Sequence, residues 1–270
     1  MSTPNPADEA PSSAGRTEGT WQLDHVLANR RWVGRNTPFP HVVAANVFTT
    51  EFYTELHTEF ARTEREHPQA FRRNMAGYDA AGADLGNFRD GTLGIFVSRQ
   101  WHDMIADVAG VDVTGDVSGS LQHHDPGGQS GWPHNDLNPG WFGGPAPLPH
   151  EVRLPGFDGV GYHGGVRPPG VAARETIRAV SVLFYLGNPE WEPGDGGETG
   201  LFSSYDTAWR GPSAAVAPVN NSLVLFECTV YSLHAFVSNP AKPRNSVVMW
   251  LHRSKDDVLA RWGEQSIVNW

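Results

Sequence analysis

From Gly119 onward the sequence is written in short apolar runs separated by glycine and proline, and that punctuation limits most strongly what the chain can become. Residues 120–124 read as one strand, and Asp125-Pro126-Gly127-Gly128-Gln129 reads as a turn. Residues 179–186 read as a buried strand with Val180, Val182, Phe184 and Leu186 on one face. Segments 222–228 and 245–252 repeat the pattern, and 194–202 is a tight turn running into another strand. Two helices come first. Thr49-Thr50-Glu51 is a cap signature; Phe52, Leu56 and Phe60 follow at four-residue spacing, and Pro68 stops the run. The second helix is expected over 98–108, with Trp101, Ile105 and Val108 inward. His57 and His67 read as surface residues, and His102-Asp103 as a solvated pair. A short helix in the tail 254–270 should turn Val258, Leu259 and Trp262 inward. Helices followed by many short strands predict an α+β fold whose body is a double-stranded β-helix, or jelly roll, with flanking N-terminal helices.

Residues 2–20 contain no Val, Ile, Leu, Phe, Trp or Tyr, so 1–20 reads as a disordered tail. The remaining 21–270 reads as a single domain, with 10 Trp and 13 Phe to fill its core. Within it, 138–170 is rich in Gly and Pro and reads as a lid-like or substrate-binding insertion, with His150 and His163 as solvated loop residues. The formal charge, 20 − 30 = −10, argues against a nucleic-acid partner and is compatible with a cationic small-molecule substrate. A single Cys228 fits a reducing, cytoplasmic setting. No apolar run is long enough to span a membrane, and the N-terminus has no apolar signal core. The sequence is silent on oligomeric state.

The chemistry concentrates in Gly131-Trp132-Pro133-His134-Asn135-Asp136. In an extended segment His134 and Asp136 point one way and Asn135 the other. A distant His234 completes two histidines and one carboxylate, a face that leaves positions on a ferrous ion open. H-x-D alone carries little: roughly 0.7 chance matches are expected at this composition, and His123-His124-Asp125 also fits. A buried structural histidine is the commoner state. Ten residues after His234 stands Arg244, with Ser246 on the same strand face. A guanidinium pairs two-fold with a carboxylate, and a buried one is very costly unless an anion meets it. The plain alternative is a surface Arg in the turn Pro240-Ala241-Lys242-Pro243-Arg244.

Taken in order, several marks resemble the prolyl-hydroxylase type of iron(II)/2-oxoglutarate oxygenases. They are Pro38-Phe39-Pro40-His41-Val42-Val43, Leu121-Gln122, Pro126-Gly127-Gly128-Gln129, Pro133-His134-Asn135-Asp136, Leu183-Phe184-Tyr185-Leu186, Gly196-Gly197-Glu198-Thr199, His234, Arg244 and Trp250-Leu251-His252. The resemblance runs from about Pro38 to Arg253 and places the metal pair after the Gly-Gly-Gln turn, at His134 and Asp136. It implies Fe(II) held by His134, Asp136 and His234, with 2-oxoglutarate and O2 as co-substrates and ascorbate as support. It implies co-substrate contacts from Arg244, Ser246, Tyr185 and His124. The expected reaction is oxidation of a C–H bond, by hydroxylation, oxidative cyclisation or epimerisation, in a small natural-product metabolite. Asp136 argues against a halogenase, which keeps that ligand position open. The chain departs from the pattern at His124, where many relatives carry Tyr, in a turn one residue longer than usual, in Arg244 where the animal collagen enzymes have Lys, and in the long insertion. A prolyl or peptidyl hydroxylase is the alternative within the class. A jelly-roll zinc hydrolase or isomerase and a non-catalytic binding sandwich are the alternatives outside it.

Overall fold

The structure is a computed structural model that describes residues 16–17, 20–73 and 79–269. Of the expected disordered tail, 1–15 and 18–19 lie outside the described residues, while Arg16–Thr17 pairs with Thr20–Trp21 as a short antiparallel ribbon.

The first long helix, Thr50–Glu66, starts where the side chain of Thr49 accepts from the Phe52 amide and stops one residue before Pro68. Its stripe of Phe52, Leu56 and Phe60 is at most 1% exposed. The second, Arg99–Ala109, is capped by Ser98 and closed by Gly110 in the left-handed region, φ 65°. Trp101 and Ile105 are buried as expected, but Val108 is 39% exposed, because the stripe swings to His102. His102 is not solvated: its ring is buried, bonded to Asp103 Oδ1 and to the Thr114 carbonyl, both at 2.8 Å. The last helix, Lys255–Trp262, buries Val258 and partly buries Trp262, while Leu259 faces solvent.

Eight strands form the larger sheet. In spatial order Val33–Arg35, His41–Ala45, Ser222–Glu227, Ala173–Tyr185, Arg244–Ser254, Val117–His124 and Ala81–Asp84 lie antiparallel, and Pro139–Gly143 pairs with the first half of Ala173–Tyr185. A smaller sheet orders Ala214–Val216, Thr199–Phe202 and Leu233–Phe236. The central strand shows how one sequence serves two layers. Val180, Val182, Phe184 and Leu186 join the helix-side core with Phe48, Phe52 and Trp101, whereas Leu183 and Tyr185 face the other way, with Leu201 and Val248. The space between the two sheets is where the functional side chains meet.

One irregularity matters for function. Leu251 pairs with Val180 but His252 pairs with Arg178, so Ala179 is an extra, bulged residue. The Ala179 carbonyl leaves the ladder and accepts from the Cys228 amide (2.7 Å) and from Arg253 Nη2 (3.1 Å). Strict alternation would send Arg178 into the helix-side core with Val180; the bulge re-aims it into the space between the sheets.

The insertion is only partly a loop, since its first residues are the strand Pro139–Gly143. The rest, 144–172, is pinned by Tyr162, whose hydroxyl lies 3.0 Å from Ser118 Oγ, 3.2 Å from His252 Nε2 and 3.4 Å from Arg178 Nε. His150 and His163 are exposed, as expected. Tyr162→Phe removes this hub, and the expected cost is about 1–2 kcal/mol in urea unfolding; an unchanged midpoint would show that the loop is held by packing alone.

At the opposite edge His123 ties the first long helix to the sheet. Its ring bonds Glu64 Oε1 (3.0 Å), Asn245 Oδ1 (2.7 Å) and Asp125 Oδ1 (3.2 Å). The Glu64 hydrogen bond, joined by those of Asn245 and Asp125, outweighs burial and pushes the imidazole pKa up to about 9. A group with a raised folded pKa contributes fully below its ordinary value near 6.5 and loses that contribution as pH rises through about 9. After screening, wild-type protein is expected to lose about 1–2 kcal/mol more than His123→Gln between pH 6.5 and pH 10. Parallel pH profiles from urea melts would contradict this.

Candidate metal centre

His134 and His234 are brought together by a single pair of backbone hydrogen bonds, His134 N to His234 O (3.1 Å) and His234 N to His134 O (2.9 Å). The expected strand around His134 is thus one isolated bridge at the edge of the smaller sheet. It suffices: the rings lie 4.5 Å apart, centre to centre. Each Nδ1 is engaged by a carbonyl two residues earlier, Trp132 O at 2.9 Å and Ser232 O at 3.1 Å. If both Nδ1 atoms carry the proton, both Nε2 lone pairs are available to a metal, the usual way of fixing a ligating tautomer. Asp136 lies between them, Oδ1 3.9 Å from His134 Nε2 and Oδ2 3.4 Å from His234 Nε2. Among the described residues this is the one cluster of three His, Cys, Asp or Glu whose ligand atoms all fall within 4.8 Å of one another. In the competing His123-His124-Asp125, His123 meets Asp125 at 3.2 Å but no third ligand closes a cluster, and His124 turns onto Phe236.

Asp136 is itself held. Trp250 Nε1 donates to Oδ2 at 2.7 Å and Arg178 Nη1 to Oδ1 at 3.4 Å, while the guanidinium of Arg178 stacks over the Trp250 ring at 3.7 Å. Burial alone would raise the Asp136 pKa, but the combined pull of His234, Arg178 and His134 holds it well below the usual carboxylate range. Burial, together with the neighbouring His234, lowers His134 to about 4, which leaves its imidazole neutral at neutral pH. At neutral pH the Asp136 anion and the neutral His134 imidazole, joined by His234, make a donor set that suits a divalent ion of the ferrous type.

At the far end of the same cavity sits Arg244, 2% exposed. Nη1 donates to Ser246 Oγ (3.1 Å) and Nη2 to Thr199 Oγ1 (3.2 Å), and the Tyr185 hydroxyl donates to the same Thr199 oxygen at 2.7 Å. Its Nε is buried with no hydrogen-bond partner, and no described carboxylate lies within ion-pair distance of it. A buried guanidinium offering spare donors is the feature that a carboxylate of a bound diacid fits. Ser246 and Tyr185 act behind this group rather than on the cavity wall. His124, expected at the co-substrate, is fully buried and does not reach the wall; its ring stacks on Phe236 at 3.9 Å. Burial, reinforced by the Arg244 charge, pushes its pKa down to about 2, so it lies beside the guanidinium as a neutral ring.

The cavity encloses about 690 Å³ including its open mouth, between the metal donors, Arg244, Trp132, Phe236 and Trp250. Two of its polar residues escape a reading by motif: Arg178, turned inward by the bulge, and Ser181, anonymous in sequence; Thr199 stood only within the mark Gly196-Gly197-Glu198-Thr199. Trp250 was visible only as part of a family mark; the strand periodicity 246, 248, 250 was the available signal.

Residues 158–252 match the 2OG-Fe(II) oxygenase superfamily, a span that includes His234 and Arg244 but not His134 or Asp136. No curated protein sequence matches this chain. Among solved structures it is similar to a prolyl-4-hydroxylase of Pseudomonas putida, at 18% identity over 79% of this chain and 92% of that one, TM-score 0.51. It is also similar to a prolyl hydroxylase of Trichoplax adhaerens in complex with a hypoxia-inducible-factor peptide fragment, at 17% identity over 82% of this chain and 86% of that one, TM-score 0.54. The superfamily implies Fe(II), 2-oxoglutarate and O2, and the His-Asp-His cluster fits the metal. Residues 158–252 are thus similar to the 2OG-Fe(II) oxygenase superfamily, and the double-sheet fold is similar to that of the two prolyl hydroxylases.

Proposed function

We propose that this protein is an iron(II)- and 2-oxoglutarate-dependent dioxygenase that oxidises a C–H bond of a small natural-product metabolite. His134, Asp136 and His234 hold the metal, and Arg244, supported by Ser246, Thr199 and Tyr185, takes the far carboxylate of the co-substrate. When bound, the metal couples oxidative decarboxylation of 2-oxoglutarate by O2 to oxidation of the substrate. The chain's own part is to fix this arrangement. Trp250 and Arg178 hold the Asp136 carboxylate in one orientation, the Trp132 and Ser232 carbonyls aim the two imidazoles, and Leu183, Val248 and Phe236 keep water from the middle of the cavity.

The observation that carries the reading is the pairing of a three-ligand cluster with a carboxylate-free buried guanidinium at opposite ends of one cavity. A zinc hydrolase has a use for the first and none for the second, and a passive binding sandwich predicts neither iron dependence nor succinate. Two acids near this end, Asp195 and Glu198, do not line the cavity, and Asp195 is engaged by Lys242 at 2.8 Å. A cationic metabolite would therefore have to be gripped at the mouth. A prolyl or peptidyl hydroxylase is the second reading, favoured by the neighbours' fold.

The test is 2-oxoglutarate turnover by purified protein with Fe(II), ascorbate and O2, read as succinate, with and without candidate metabolites and proline-rich peptides. Metal-dependent succinate is expected, enhanced by the true substrate. Its absence, or its survival in excess chelator, would refute the assignment.

A further inference from the structure

Ser181 is fully buried, lines the cavity, and its hydroxyl has no hydrogen-bond partner among the described residues. A buried hydroxyl without a partner is disfavoured by about 1–3 kcal/mol, so its retention in the wall, on the sheet face it shares with Leu183, Val248 and Trp250, asks for a ligand. The ladder places it. Across Ala173–Tyr185 and Arg244–Ser254, Ser181 lies opposite Trp250, Leu183 opposite Val248, and Tyr185 opposite Ser246. Each step of two residues advances about 6.6–7 Å along the sheet. The sheet beneath the cavity therefore reads polar, apolar, polar, with the last row lying behind the Arg244 guanidinium rather than on the wall. The first row adjoins the metal donors, because Trp250 holds Asp136. The last row supports Arg244 through Ser246, and through Tyr185 by way of Thr199. That order repeats the order of groups in a short 2-oxo diacid: an oxo-acid head, two methylenes and a carboxylate tail.

We propose that the Ser181 hydroxyl donates a hydrogen bond to the oxo-acid head of the co-substrate, fixing the end that Arg244 does not touch. This rests on the co-substrate reading above. Arg244 sets the position of the tail but not the orientation of the head beside the metal donors; a hydroxyl donor in the metal-end row sets it.

The experiment is calorimetric titration of the full chain, loaded with Mn(II) and free of turnover, with 2-oxoglutarate. Ser181→Ala is expected to raise Kd roughly five- to tenfold, the size of one net hydrogen bond, with Mn(II) affinity unchanged. Ser181→Thr, which keeps the hydroxyl, should bind within about twofold of wild type. In anaerobic Fe(II) protein the visible charge-transfer band of the 2-oxo acid complex should move in the Ala variant and return in the Thr variant. Wild-type affinity in Ser181→Ala, or a parallel fall in Mn(II) affinity, overturns the proposal and leaves the co-substrate reading standing. Failure of wild-type protein to bind 2-oxoglutarate overturns both.

Discussion

Asp136→Ala is expected to reduce Fe(II) affinity by at least about a hundredfold and to eliminate metal-dependent succinate. The size follows from what is removed: among the described residues, the sole carboxylate within reach of both imidazoles and the sole anion lining the cavity. Two neutral imidazoles hold a divalent ion far less tightly than two imidazoles and a charge, and loss of a ligand or its support commonly reduces affinity 10–100-fold or more. The variant has a second, separable consequence. Asp136 is also an acceptor for Trp250 and Arg178, and removing one partner of a buried ion pair costs about 3–5 kcal/mol. Asp136→Asn is therefore the companion variant. It keeps the shape and an acceptor, so it should melt closer to wild type while still losing the metal. Iron stoichiometry and thermal midpoint, measured on both variants, separate the two roles. If either variant retains wild-type iron and turnover, the carboxylate is not a ligand.

The parts of this site that were legible in the sequence are those fixed by local geometry. The i, i+2 spacing of His134 and Asp136, and of Arg244 and Ser246, states that each pair shares a direction, and each pair does. The two-faced strand 179–186 was legible because its even positions are uniformly large and apolar, and these are the ones packed on the helices. What was hidden depends on register. Arg178 has the parity of Val180, and only the extra residue Ala179 turns it toward Asp136. A bulge is a property of two paired strands, so a single strand's pattern does not reveal it. Val108 and His102 exchanged roles for a similar reason: the helix buries the side that meets Thr114, a contact set by a loop rather than by the helix's own periodicity. His124 shares its strand with the co-substrate end, yet its neighbour Phe236 covers it. Exposure to a cavity is decided by the opposite wall.

Arg244→Met should separate function from stability in opposite directions. For function, the guanidinium is the one group at its end of the cavity able to neutralise a carboxylate, with Ser246, Thr199 and Tyr185 supplying only hydroxyls. Truncating one side of a buried, hydrogen-bonded charge pair costs about 2–5 kcal/mol, so KM for 2-oxoglutarate should rise by roughly thirtyfold or more. Discrimination should fall with it: the variant should use 2-oxobutanoate, which lacks the far carboxylate, nearly as well as 2-oxoglutarate. Arg244→Lys should fall between the two, because a point charge replaces the planar fork. For stability, the protein without co-substrate holds a 2%-exposed cation with no carboxylate of the described residues within ion-pair distance. Replacing buried charge by an apolar side chain of similar volume is often neutral, or stabilising by about 1–4 kcal/mol. The melting temperature of Arg244→Met should therefore equal or exceed that of wild type when both lack 2-oxoglutarate. Adding 2-oxoglutarate with Mn(II) should raise the wild-type value and leave the variant's almost unmoved. An unchanged KM would remove Arg244 from the co-substrate site. A clear loss of stability in the ligand-free variant would mean that this cation is already compensated by the fold, and the case for a diacid at this end would go with it.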